Sequence, residues 1–436
     1  MTKIDTQGGR TMTLVVPTGE RERIHALDAL RGIALLGILM VNMAAFKGLS
    51  VLSNFPRPES LAQPADQYAF LAIATLFWGK FYPIFAFLFG LGFALQMKRI
   101  EARGVNPTPV LLRRLLALLG FGLIHGLFIW TGDVLFVYAL CGLLLLALRN
   151  LAPRTVLYVA LGLWGVQALC CFSCAGLTLW AASMGDYGAS RQSDFLEPFI
   201  ERAREVYAHG SYWEVQQFRF VEWLLMLANG IFFAPNAFLM FLLGLYAGKL
   251  GAFEDLGAHR RTMGWLAVIG LSLGLASQVG FGLGVLDAVR TKNEMVGYGL
   301  LSLNVVFAPI LSVGYIGLFG WLWSALPALE RILQPIANAG RMALTNYIMQ
   351  SVICTLLFYG YGLGWGGKVG IAQGIGLTVL IWVVQVILSS LWLRWFQYGP
   401  LEWVWRMLTY GRGVALRRAV GKEAPSLLDS PPSQGV

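Results

Sequence analysis

Two polar residues, each eleven positions after an arginine, frame the chemistry this sequence can offer. Arg31 is followed by Asn42, and Arg114 by His125, each across an almost wholly apolar run. An α-helix advances about 100° and 1.5 Å per residue, so both members of each pair share one face, about 16 Å apart. Each face then carries a guanidinium suited to phosphate oxygens at one end and a polar side chain deep along the helix. His125 is the more reactive of the two, and of the four histidines it alone lies deep in an apolar run. A neutral imidazole in apolar surroundings, with a carboxylate in reach, suits a general base or an acyl-accepting nucleophile. Asp133 can be that carboxylate if the chain folds back across Gly132, because a spacing of eight residues does not itself align the two. Gly120, Gly122 and Gly126 would let another backbone or a ligand approach closely. The same residues also fit a plainer arrangement of arginine anchors, a helix-packing Asn42 and a His125 hydrogen-bonded between helices.

Other polar residues interrupt apolar runs. Asp28 and Arg31 have the i,i+3 spacing of a helix-surface pair. Lys80, between Gly79 and Pro83, either reaches outward or meets an anion in a cavity. The stretch from Arg341 to Ser351 carries Arg341/Thr345, Asn346/Gln350 and Tyr347/Ser351 as i,i+4 pairs, too polar for a lipid-facing helix. Cys141, Cys170, Cys171, Cys174 and Cys354 all sit in apolar text, and Cys170-Cys171 with Cys174 has no His or carboxylate nearby, which indicates packing, and no metal is expected.

The elements that must position these residues follow from composition. The chain is 57% hydrophobic and only 13% charged, against roughly 25% charged in soluble domains. This predicts an all-α polytopic membrane protein with about ten transmembrane helices, near 26–46, 68–96, 111–131, 133–150, 155–183, 219–250, 262–284, 296–324, 336–361 and 370–397. Gly79 with Pro83, Pro235 and Pro309 predict tilted, kinked or broken helices. The net charge of +10 fits basic residues gathered at cytoplasmic helix ends, not nucleic-acid binding. Arg and Lys crowd the loop from Lys98 to Arg114, the turns near Arg149, Lys249 and Arg331, and the tail. Loop 184–218 is instead rich in Asp and Glu. Ten crossings with both termini cytoplasmic satisfy every loop. The division is a cytoplasmic segment 1–25, a helical domain 26–397 and a tail 398–436 whose Pro/Ser-rich end is expected to be disordered. Loop 184–218 is expected either on the outer membrane surface or as a solvated helical hairpin.

The sequence also resembles a known family. RIHALDALRGIALLGILMVNM, FYPIFAFLFGLGFALQ, RRLLALLGFGLIHGLFIWTGDVLFVYA, GRMALTNYIMQS and FQYGPLEWVWRMLTYG are similar to stretches of the YeiB-like bacterial membrane proteins, and they run across essentially the whole chain. The opening motif alone is shared more widely, with the acyltransferases that decorate bacterial glycans and with the lysosomal heparan glucosaminide acetyltransferases. That resemblance implies a transmembrane acyltransferase fold in a bacterial inner membrane, with acyl-CoA (acetyl-CoA) as cytoplasmic donor and an acceptor on the far side. Arg31 matches the motif's arginine. The glycan-decorating group has a His where this chain has Asn42, so that role does not transfer to position 42.

The resulting expectation is acyl transfer to a hydroxyl or amine. His125 and Asp133 would be catalytic, and Arg31, Lys80, Arg113 and Arg114 would hold the acyl-CoA. Asn42, Arg341, Asn346 and Gln350 would line the acceptor side. Membrane lipids, acyl-CoA, an acceptor and a second copy of the chain are the expected partners. A transporter or flippase of a small or lipid-linked substrate is the alternative, because broken helices and interior polar residues suit it equally.

Overall fold

The computed structural model describes residues 24–52, 55–184, 190–411 and 414–418. Among these the chain is helical, apart from an isolated bridge between Phe396 and Arg417. Nearly all of segment 1–25 and the Pro/Ser-rich end lie outside the described residues.

The helices run α1 (His25–Gly48), α2 (Pro64–Leu76), α3 (Phe81–Glu101), α4 (Thr108–Ile124), α5 (Leu135–Leu148), α6 (Pro153–Ser183), α7 (Ser190–His209), α8 (Tyr212–Leu250), α9 (Arg260–Arg290) and α10 (Glu294–Ala325). The short α11 (Ala328–Ile332) and α12 (Gln334–Arg341) follow, then α13 (Ala343–Phe358), α14 (Ile371–Trp395) and α15 (Pro400–Tyr410). Eight segments among the described residues are long and apolar enough to cross a membrane, α2 and α3 counting together as one. Two sequence-expected spans correspond to shorter apolar helices, α5 with 14 residues and α13 with 16. At 1.5 Å per residue these measure about 21 and 24 Å, short of a hydrocarbon core of about 30 Å. Many exposed side chains are apolar, among them Leu161 and Leu169 on α6, Leu273 on α9, and Leu380 and Leu388 on α14. This is a multi-pass membrane protein.

Of the prolines expected to disturb helices, only Pro83 accompanies a break. Gly79 adopts φ +85° there, and Lys80 leads into α3. The N–H of Trp78 reaches back to Ile73 O, which leaves the carbonyl of Ala74 without its helical donor. The Lys80 amine fills that gap, donating to Ala74 O at 2.7 Å and Trp78 O at 2.6 Å. Pro235 and Pro309 lie inside continuous helices. Pro309 has no N–H for the carbonyl four residues earlier, Val305. Asn236 Nδ2, from α8, donates to Val305 O at 2.7 Å instead. Neighbouring side chains thus repair the backbone where lipid would not.

At the centre α3 packs backbone to backbone on α8: a Cβ on Gly90 would meet Phe241 O at 2.1 Å, and one on Gly244 would meet Phe87 O at 2.1 Å. Within the 184–218 region, the residues described from Ser190 on form a helical hairpin of α7 and the start of α8. It is docked, with Ala203, Tyr207 and Val215 buried.

Candidate functional site

α4 does not end as an ordinary helix. From His125 to Ile129 the chain makes a π-helical turn, closed by Trp130 N–H on His125 O at 2.8 Å. Such turns leave carbonyls with poor partners. The first turns of α8 supply donors for them. Tyr212 Oη donates to Phe128 O at 3.0 Å, Gln216 Nε2 donates to Leu127 O, and Arg219 Nη1 donates to Phe128 O at 2.7 Å. Positions 212, 216 and 219 share one helix face, and a guanidinium at a helix C-terminus complements its dipole.

The chain then reverses through Trp130–Val134. Gly122 makes the reversal possible, since a Cβ there would lie 2.4 Å from Phe136 N and 3.0 Å from Asp133 Oδ2. Gly126 admits Trp223, whose indole nitrogen would be 2.5 Å from a Cβ. Gly120, by contrast, faces open space. Asp133 heads α5 and caps it: Oδ2 accepts the N–H of Phe136 at 2.7 Å, where a carboxylate also meets the positive end of the helix dipole.

That cap aims the other carboxylate oxygen at the imidazole. Asp133 Oδ1 lies 2.8 Å from His125 Nδ1, and His125 Nε2 lies 2.9 Å from Ser351 Oγ. The His125 and Asp133 side chains are essentially sealed, 0% and 1% exposed, and Ser351 is 2% exposed. An acceptor-only carboxylate at Nδ1 holds the proton on Nδ1, so Nε2 accepts from the Ser351 hydroxyl. Tyr347, one turn before Ser351, lies with its ring 5.1 Å from the imidazole, and its hydroxyl accepts the N–H of Val134 at 3.3 Å. His125, Asp133 and Ser351 come from the π-helical turn after α4, the reversal and α13.

α13 is held firmly. Glu402 of α15 accepts the N–H groups of Leu344 (2.7 Å) and Thr345 (3.0 Å) and the Thr345 hydroxyl (2.6 Å), filling orphan donors at the start of α13. Asn346 donates to Ala339 O and Ser389 Oγ, and Gln350 donates to Gln385 Oε1 at 2.9 Å. Gln385 in turn donates to Asn346 O at 2.9 Å. Asn346 and Gln350 therefore join α13 to α14. Their side-chain bonds go to Ala339 O of α12, to α14 and to Leu35 O, and none goes to His125.

The reversal is clamped from its other side by Glu222. This buried carboxylate accepts from Thr131 Oγ1 (2.9 Å), Tyr207 Oη (2.6 Å) and Ser50 Oγ (3.3 Å). Trp130 stacks on Phe46 with ring centroids 4.2 Å apart. Asn42, the partner in the first eleven-residue spacing, is half-buried on α1.

The expected cationic end is partly assembled. Arg31 pairs with Asp28 at 2.7 Å. Arg114 stacks 4.2 Å over the Trp405 ring, and Trp405 Nε1 donates to Arg114 O at 2.8 Å. Arg406 follows Trp405 on α15 and stacks 4.3 Å over the Tyr398 ring. Arg113 is exposed. Arg341 donates to Gln397 O at 3.3 Å, and neighbouring Gly340 packs on Asp28 O, so Arg341 belongs to this end and not to the imidazole end. Lys80 is elsewhere. Gly92 of α3 is the residue near Arg31, and Lys80 stands twelve positions earlier, about 18 Å along the helix.

Reading the sequence did not single out Ser351 as a partner of His125, nor Arg219, Glu222, Glu402 or Arg406. Arg219 and Glu222 had a visible signal, as ionisable residues at the start of an expected span. The partners of Ser351 and Glu402 lie 226 and 57–58 positions away, where no local pattern reaches.

Relatives share most of the chain's length. A family model described as "Protein of unknown function (DUF418)" matches residues 247–412. "Uncharacterized protein YxaH" of Bacillus subtilis is 35% identical over 92% of this chain and 97% of its own. An "Uncharacterized 39.9 kDa protein in amylase 3'region" of Bacillus acidopullulyticus is 33% identical over 91% and 96%. "Uncharacterized protein YeiB" of Escherichia coli is 30% identical over 89% and 96%. No solved structure matches the chain. Similarity that spans whole chains, added to the shared motifs, makes this protein a member of the YeiB-like family.

Proposed function

We propose that the protein is an acyltransferase of the bacterial inner membrane. It crosses the membrane about ten times with both termini in the cytoplasm, and α5 and α13 supply the two short crossings. The donor is a cytoplasmic acyl-CoA, and the acceptor is a hydroxyl or amine at or beyond the membrane. One observation carries this reading: His125 is locked between a carboxylate and a hydroxyl, about 16 Å along α4 from Arg114, which stacks on Trp405.

Each part has a task. Arg31, Arg114 and Arg406 take the phosphates of the donor. The pantetheine arm, an extended chain, bridges the distance to the imidazole. Asp133 fixes the tautomer that leaves Nε2 free to take a proton, and apolar walls keep water away. Asn346, Gln350 and Arg341 hold the walls of the site in place, and Lys80 closes the break between α2 and α3.

The test is turnover by purified protein in nanodiscs, supplied with acetyl-CoA or longer acyl-CoA, wild type against His125→Ala. General base catalysis contributes about 10²- to 10⁴-fold, and a loss of that size is expected. Full activity in the variant would remove His125 from the mechanism. The transporter reading draws on the broken α2–α3 segment, and it is favoured if acyl-CoA fails to bind at all.

A further inference from the structure

The contact between His125 and Ser351 reaches beyond base catalysis. We infer that Ser351 is the nucleophile of a two-step reaction and carries the acyl group as an ester between donor and acceptor. This rests on the acyltransferase reading above and specifies its covalent course.

Four observations support it. Ser351 Oγ stands 2.9 Å from His125 Nε2, and Asp133 Oδ1 stands 2.8 Å from Nδ1, which is the arrangement that activates a serine. The carboxylate is fixed independently by the Phe136 N–H, so the imidazole cannot swing away from Oγ without giving up its bond to Asp133 Oδ1. Ser351 needs no such partner for structure. A helical serine in lipid normally satisfies itself on a carbonyl one turn back, as Ser302 does on Tyr298 and Ser277 on Gly274. Ser351 instead meets a ring nitrogen on another helix. Finally, all three groups are sealed from bulk water, which would otherwise hydrolyse an ester.

The steps balance. Ser351 Oγ attacks the thioester carbonyl and its proton passes to His125 Nε2. The C–S bond breaks, and the thiolate of CoA leaves with that proton as the free thiol. The acceptor hydroxyl or amine then attacks the ester carbonyl and gives its proton to Nε2. The C–Oγ bond breaks and Ser351 recovers the proton. No oxidant or reductant is needed. A covalent intermediate also means that donor and acceptor, approaching from opposite faces, need never be bound together.

The experiment uses the full chain in nanodiscs, with acetyl-, succinyl- and palmitoyl-CoA in turn, and hydroxylamine as acceptor probe. Acid-quenched protein is digested and the peptide containing Ser351 is weighed. An added acyl mass on Ser351, absent in Ser351→Ala and in His125→Ala, is expected, with hydroxamate formed on adding hydroxylamine. Ser351→Cys should trap the acyl group as a thioester released by neutral hydroxylamine, which also shows that a substituted α13 folds. Turnover by Ser351→Ala at the wild-type rate, or acyl mass on His125 instead, overturns the serine intermediate and leaves acyl transfer standing. No consumption of any acyl-CoA by the wild type overturns the acyltransferase reading itself.

Discussion

Asp133 caps the helix it precedes with one carboxylate oxygen and holds the His125 imidazole at 2.8 Å with the other. Structure and chemistry are thereby coupled through one side chain. Asp133→Asn keeps an oxygen for the Phe136 N–H but presents an amide to Nδ1 or turns the acceptor away, favouring the wrong tautomer. Folding, followed by size-exclusion profile and thermal unfolding, should change little. Acyl-CoA turnover should fall by about 10²-fold or more. Equal turnover in the two proteins would make Asp133 a helix cap only.

Arg113 and Arg114 are neighbours in sequence and differ in surroundings. Arg114 stacks on Trp405, whereas Arg113 is exposed. Arg114→Ala should weaken acyl-CoA binding by about 1.5–3 kcal/mol, roughly 10- to 150-fold. Arg113→Ala should leave it within about threefold, because exposed charges are well solvated. Calorimetric titration of both variants decides the point, and equal losses would contradict this placement of the donor.

Lys80 offers the opposite contrast. Lys80→Met removes the donor that fills Ala74 O and Trp78 O, at a cost of about 1–3 kcal/mol. The expected readout is a lower midpoint of thermal unfolding with unchanged acyl-CoA affinity. A variant that loses affinity while keeping its stability would return Lys80 to the donor site.

Asn236 and Pro309 form a pair that a double-mutant cycle can test. Asn236→Leu strands the carbonyl of Val305 and should cost about 1–3 kcal/mol. Pro309→Ala restores an N–H four residues on, so Asn236→Leu should cost less in that background. Additive losses in the cycle would mean that the Asn236 bond does not substitute for the missing helical one.

Hydrophobic composition and charge placement were enough to read helices and a membrane, because lipid forces backbone groups to pair locally and leaves that demand written in each segment. The arginine-to-His125 face was legible for the same reason, since helical period is a local property. The break at Gly79 and Lys80 was visible too. What sequence could not show was which helices meet. Ser351 faces His125, Asn236 repairs Val305 and Glu402 caps α13 only because distant segments pack together. The reversal that carries Asp133 and the packing of α3 on α8 depend likewise on close approach at Gly122, Gly90 and Gly244, where the absence of a Cβ matters only once a partner helix is there. Local periodicity therefore placed the polar residues on faces and offered Asp133 to His125, and tertiary packing alone decided that Ser351 closes on its other nitrogen.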